Sequence, residues 1–227
     1  MRICDTRRAR RQLLRVSIAA GALVVPAAAA TAASAATLAV GAPCYVNATP
    51  AKGAPIDITG SGYTPGDTIA VQGQAVFGTT TSAPDGSINL VTSGPILPFS
   101  GPGTGSTTLT SQDETSGAGN LAQTSVTMAN FSVATQPSVA KPSRRVTWRF
   151  SGFIPGHLIY VHYLHKGKVV TRMTFGKAQR PCGTLKARDR FYPGGHPHYS
   201  TYGVVFDQVK RYTKRARPRL SNTLSFF

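Results

Sequence analysis

Beyond residue 36 the apolar positions recur at alternate residues, in short runs punctuated by Gly, Pro, Ser and Thr, and no helical period of about 3.6 residues runs through them. The clearest run is Val146, Trp148 and Phe150, alternating with Arg145, Thr147 and Arg149, which predicts a strand with one buried and one solvated face. Pro155-Gly156 turns the chain into residues 158–165, apolar on both faces as a central strand should be. Lys166-Gly167 makes a tight connection to 169–175, where Val169, Thr171, Met173 and Phe175 share one side. Residues 184–191, 202–208 and 219–226 supply three more strands, and a short leading strand is expected near 138–140. Upstream the same order holds at 44–49, 56–60, 68–72, 76–80, 87–92, 107–112 and a long run at 122–134, with Pro84-Asp85-Gly86 as a turn.

The two halves carry the same punctuation. Ser61-Gly62-Tyr63-Thr64-Pro65-Gly66 returns as Ser151-Gly152-Phe153-Ile154-Pro155-Gly156, and Gly86-Ser87-Ile88-Asn89 as Gly183-Thr184-Leu185-Lys186. Ser106-Thr107 precedes Asp113 by the interval that separates Ser200-Thr201 from Asp207. Anchors in a fixed order, with length changes confined between them, indicate a duplicated domain rather than a solenoid unit. The chain is therefore expected to be all-β, two tandem immunoglobulin-like antiparallel β-sandwiches after a signal peptide, with domains at 37–134 and 135–227. Gln136-Pro137 marks the junction, with almost no linker.

The stretch from Pro50 to Gly66, with Gly53, an alternating strand and Gly60-Ser61-Gly62-Tyr63-Thr64-Pro65-Gly66, resembles the repeated immunoglobulin-like modules of exported bacterial proteins, notably actinobacterial ones. The resemblance covers most of the mature chain at the level of fold and the two hexapeptides at the level of motif. It implies a role as an adhesin, a spacer or a carbohydrate-binding appendage.

Residues 1–36 read as an export signal. Arg7, Arg8, Arg10, Arg11 and Arg15 make a positive start, an alanine-rich apolar stretch follows over 16–30, and Ala33-Ser34-Ala35 suits signal peptidase. The stretch is soft and broken by Pro26, unlike the roughly 20 strongly apolar residues a membrane anchor needs, so no integral membrane segment is expected in the mature chain. Arg10-Arg11-Gln12-Leu13-Leu14-Arg15 resembles a twin-arginine signal, with ordinary secretion as the alternative. The destination is outside the cell or at its envelope.

Charge separates the two copies. The net charge is −4 over residues 37–135 and +16 over 136–227, where Asp189 and Asp207 are the only acids. In the strand pairing of an immunoglobulin-like sandwich, the outward positions Arg145, Thr147 and Arg149 meet Lys186, Arg188 and Arg190 in one basic face. The matching positions of the first copy, Asp57, Thr59, Ser87 and Asn89, are not basic. A second cluster, Lys210, Arg211, Lys214, Arg215, Arg217 and Arg219, occupies the last loop, with few aromatics for base stacking. Arg145, Arg149, Lys186, Arg188, Arg190, Lys210, Arg211, Lys214 and Arg215 are the candidate polyanion-binding residues. The expected role is an exported, non-catalytic binding or structural protein whose basic domain contacts an anionic envelope polymer or acidic glycan. The alternative is a secreted polyanion- or nucleic-acid-binding protein.

Other chemistry has little material. Gly101-Pro102-Gly103-Thr104-Gly105-Ser106 lacks the lysine and following helix of a phosphate cradle and is expected to be a hairpin connection, so no cofactor is implied. His162 and His165 fall on opposite faces of one strand, and His196-Pro197-His198 lies in a glycine-rich loop, so exposed histidines rather than metal ligands are expected. Asn47-Ala48-Thr49 and Asn130-Phe131-Ser132 match glycosylation acceptors. With Cys4 in the leader, Cys44 and Cys182 are the one candidate disulfide of an exported chain. In an extended tandem they would stand far apart, so their bond is expected to require the second domain to fold back on the first.

Overall fold

The computed structural model describes residues 35–114, 121–194, 197 and 200–226. All but the last two residues of the assigned leader lie outside this set, as do His196 and His198. Among the described residues there are fifteen strands, and no helix is long and apolar enough to cross a membrane.

Strands β1 (Thr37–Val40), β3 (Pro55–Ser61) and β6 (Ile88–Ser93) form an antiparallel sheet in the order β1-β3-β6. Facing it are β2 (Tyr45–Asn47), β4 (Thr68–Gly73), β5 (Val76–Thr81), β7 (Thr104–Asp113) and β8 (Ala122–Asn130), in the order β2-β8-β7-β4-β5. Every pair is antiparallel except β2 on β8. Alternation puts Ile56 and Ile58 of one sheet against Ile69, Val71, Leu109 and Val126 of the other, all fully buried.

The second sandwich pairs β9 (Ser132–Gln136), β10 (Arg145–Ser151) and β13 (Leu185–Arg190) in the order β13-β10-β9. Its other sheet is β11 (Leu158–His165), β12 (Lys168–Lys177), β14 (Ser200–Asp207) and β15 (Leu220–Phe226), in the order β12-β11-β14-β15. The core is aromatic: Trp148 lies 5.9 Å from Phe206, and Phe150 lies 4.9 Å from Phe175 between ring centroids. In both copies the chain changes sheet at the same points, from β3 to β4 and β6 to β7, and from β10 to β11 and β13 to β14. These are immunoglobulin-like Greek-key sandwiches.

The repeated hexapeptides make the same turn. The Tyr63 amide donates to the Gly86 carbonyl at 3.1 Å, and the Phe153 amide to the Gly183 carbonyl at 3.4 Å. Gly62 and Gly152 take φ of 83° and 81°, in the left-handed region open to glycine. The aromatic after each is buried at the end of its core. The motif is thus a sheet-to-sheet corner, which explains its repetition without a ligand.

Four expectations need correction. The first copy opens with β1, ahead of residue 44, so its leading segment divides between both sheets. The run 122–134 is two strands, parted at Phe131, and β9 belongs by pairing to the second sandwich. Residues 138–140 form no strand, and Val139 is 83% exposed. The glycine-rich loop ahead of β7 joins strands of different sheets, so it is a crossover and not a hairpin connection.

Candidate functional site

The outer face of the β10–β13 ladder collects the basic residues. Arg145 stands opposite Arg190, Thr147 opposite Arg188, and Arg149 opposite Lys186. All five cations are exposed, while Val146, Trp148 and Phe150 between them fill the core. Outward residues on one strand lie about 6.8 Å apart, twice the strand rise, and neighbouring strands about 4.8 Å apart. Like charges directly opposite one another destabilise a sheet pair, and two of these three pairs are cation on cation. Neither acid of the domain offsets them. Asp207 is fully buried, and Asp189 alternates to the other face, its Oδ1 accepting the Arg190 amide at 2.7 Å. Polar relief comes from Gln136 Oε1, which accepts from Arg149 Nη2 at 3.4 Å. The matching face of the first sandwich pairs Asp57 with Val91 and Thr59 with Asn89.

The basic face runs into the junction between the sandwiches. A cleft of about 300 Å³ is lined by Arg149, Thr184 and Lys186 on one side and by Gly103 and Thr104 of the first sandwich on the other. The Gly103 amide donates to Ser151 Oγ at 3.2 Å, which itself donates to the Asn130 carbonyl at 2.6 Å. A Cβ on Gly152 would come within 2.7 Å of Phe131 Cα and 2.8 Å of Val46 Cγ1, so glycine lets the two sandwiches close on each other here.

The Cys44–Cys182 bond lies at this same junction, with Cα atoms 5.3 Å apart. Cys44 leads into β2, which runs beside the end of β8, and the Cys182 carbonyl accepts the Gly152 amide at 2.9 Å. Both cysteines therefore belong to the abutting ends of the sandwiches, and the bond needs no fold-back of one domain over the other.

The loop cluster lies against the other sheet and divides. Lys210 and Arg211 line an open depression of about 580 Å³ together with Arg172, His162 and Tyr212. Arg172 Nη1 donates to the Lys210 carbonyl at 2.6 Å. Lys214 and Arg215 are exposed outside this depression. Arg219 stacks on Tyr212 at 5.5 Å and donates to the Lys214 carbonyl, bracing the loop from within. Arg172 was not apparent from sequence, because only the β11–β12 pairing brings it beneath the last loop.

The histidines and glycosylation motifs are absorbed structurally. His162, expected to be exposed, is 1% exposed, with Nε2 3.2 Å from both Asp207 Oδ1 and the Val209 carbonyl. His165 packs on the other side, 5.2 Å from Tyr202. Asn47 and Asn130 are fully buried, and Asn47 Nδ2 donates to Asn130 Oδ1 at 3.3 Å, so neither presents an amide for a glycan in the folded chain. Burial raises the Tyr163 phenol above its ordinary range, and its hydroxyl donates to the Phe191 carbonyl at 2.6 Å as a core fastening.

No protein-family description and no curated protein matches the chain. Among solved structures it is similar to a tetra-tandem repeat from the extending region of a large adhesion protein, at 15% identity over 83% of this chain and 47% of that one, with a TM-score of 0.28. It is similar to a Ca2+-stabilised adhesin that helps an Antarctic bacterium reach out and bind ice, at 14% identity over 84% of this chain and 47% of that one, TM-score 0.30. A third likeness is to the human OSCAR ligand-binding domain, at 13% identity over 84% of this chain and 97% of that one, TM-score 0.33. The chain spans about half the length of the two adhesin structures.

Proposed function

We propose that this is an exported, non-catalytic binding protein of the cell envelope or its surroundings, in which the second sandwich presents a cationic sheet face to an anionic polymer. The observation that carries the reading is the β10–β13 ladder itself. Arg145, Arg149, Lys186, Arg188 and Arg190 share one exposed face with directly opposed like charges and no acid among them. A face that serves only solubility mixes signs, whereas a single-sign face on a rigid sheet concentrates a polyanion. Export is supported by the basic, alanine-rich leader and by a disulfide, a bond that persists in oxidising surroundings. The non-catalytic reading is supported by where the reactive groups go: His162, Asp207 and Tyr163 are each spent on buried structural bonds.

Retention of the mature chain on immobilised polyglycerol phosphate, a sulfated glycan and duplex DNA at matched salt tests the reading. The wild type is expected to be retained on the first two and released steeply by added salt. Arg149→Glu with Arg188→Glu should reduce retention by about tenfold or more, since reversal both removes contacts and adds repulsion. The unfolding midpoint should not fall, because both side chains are exposed and Arg149→Glu relieves the repulsion with Lys186 opposite. Reversing Lys214 and Arg215 instead should matter less. Equal losses from the two double variants would reject the sheet face as the site, and stronger retention on DNA would make nucleic acid the ligand.

A further inference from the structure

The two sandwiches differ at one edge. In the first, β2 lies parallel to the last strand, β8, and closes the gap between the sheets. Its Tyr45 is buried in the core, and the hydroxyl spans the gap to β3, donating to the Asp57 carbonyl at 3.1 Å and accepting the Asp57 amide at 3.2 Å. In the second sandwich the corresponding last strand is β15, and it has no such neighbour: β15 and β9 are the edge strands of their sheets among the described residues. Between them a slot of about 240 Å³ opens onto the core, lined by Val133, Thr135, Trp148, Val204, Phe206 and Leu224. The segment that follows β9 borders the slot without pairing along it: Ser138 lines its rim and Ala140 packs on the core, while Val139 is turned to solvent.

We propose that this slot receives an extended, neutral-to-acidic strand of another polypeptide, laid parallel to β15 with one aromatic or aliphatic side chain over Trp148. The first copy supplies the precedent on the same scaffold, since its own strand occupies the equivalent position with Tyr45 as the inserted side chain. An unpaired edge offers backbone donors and acceptors, and a slot beside it selects alternate side chains, which is the physics of strand addition. The sign of the partner follows from the field of the domain, +16 over residues 136–227. The surface is distinct from the cationic face, which lies on the outside of the β10–β13 ladder.

Trp148 is the only tryptophan of the chain, so its emission reports on the slot directly. The probe is a peptide copying residues 41–48, with Cys44→Ser, prepared with either an Asp-Asp or a Lys-Lys tail and added to the full mature chain. A saturable shift of Trp148 emission is expected, tighter with the acidic tail. Thr135→Phe, which fills the slot from β9, should weaken binding by about tenfold or more, and Thr135→Ile should give a smaller loss should the larger side chain unfold the domain. No saturable shift at millimolar peptide, or binding as tight as the wild type's by Thr135→Ile and Thr135→Phe variants that remain folded, overturns the proposal. A scrambled peptide binding as well as the copy also overturns it, by showing only a greasy cavity. A concentration-dependent dimer abolished by Thr135→Phe would place a second copy of this chain in the slot and overturn the assignment to another polypeptide.

Discussion

At the scale of single residues, the duplicated corners make a graded test of what glycine contributes. Gly183 has φ of 63°, and a Cβ there would overlap the Phe153 carbonyl, whose own amide bonds back to Gly183. Gly86 repeats this relation to Tyr63 in the first copy. Gly167 has φ of 77° but open space where a Cβ would go. Gly167→Ala should therefore cost only the backbone strain, about 1–2 kcal/mol. Gly183→Ala adds a clash with backbone that cannot move aside and should cost about 4 kcal/mol or more, measured by thermal unfolding. Similar losses at the two positions would mean that the corner yields. Asp67 offers a second test. Burial raises its pKa, Asp113 beside it raises it further, and the Thr64 side chain opposes the shift. A carboxyl whose folded pKa is raised contributes stability that is fully present below the unfolded value of about 3.9 and lost as pH rises through the folded value. Asp67→Asn should flatten that decline, seen as a smaller drop in unfolding midpoint as pH rises from about 4 upward. An unchanged slope would remove Asp67 as its source.

At the scale of elements, the alternation of Val146, Trp148 and Phe150 made β10 legible, and with it the outward cations. Pairing them with Lys186, Arg188 and Arg190 needed only the immunoglobulin-like strand order, because residues two apart share a face. What local pattern could not carry is where a strand stops belonging to one sheet. The run from Ala122 to Ala134 has no Gly or Pro, yet β8 ends at Asn130, whose Nδ2 donates to the Phe99 carbonyl, and β9 begins beyond Phe131 on a different sheet. Phe131 is held by the Asn47 carbonyl and packs on Phe153 at 5.0 Å, contacts made across the junction rather than along the strand. The same limit hid β1. Thr37–Val40 is short and adjoins the basic, alanine-rich N-terminal stretch, and only its pairing with β3 makes it a strand. Arg172 and Lys210 likewise meet through tertiary folding alone.

At the scale of the whole molecule, a disulfide ties the abutting ends of the two sandwiches, with Cys182 buried and Cys44 half-buried. The Cys44–Cys182 bond closes a loop of sequence separation 138, so the chain-entropy view gives it about 4–5 kcal/mol as an upper figure. Because Cys182 is backed by the Gly152 amide, the bond also braces the turn before β13, whose Thr184 lines the junction cleft with Arg149 and Lys186. Replacing both cysteines by alanine should therefore lower the unfolding midpoint while leaving the far-ultraviolet spectrum of a β protein, since each sandwich keeps its own core. Retention on an anionic polymer should fall less than in the Arg149→Glu, Arg188→Glu variant, because the bond positions the cleft but contributes no charge. Alkylation of both cysteines in the unreduced mature chain would refute the bond. A double-alanine chain that loses its β spectrum would show instead that one sandwich depends on the other to fold, and that the junction is part of a single cooperative unit.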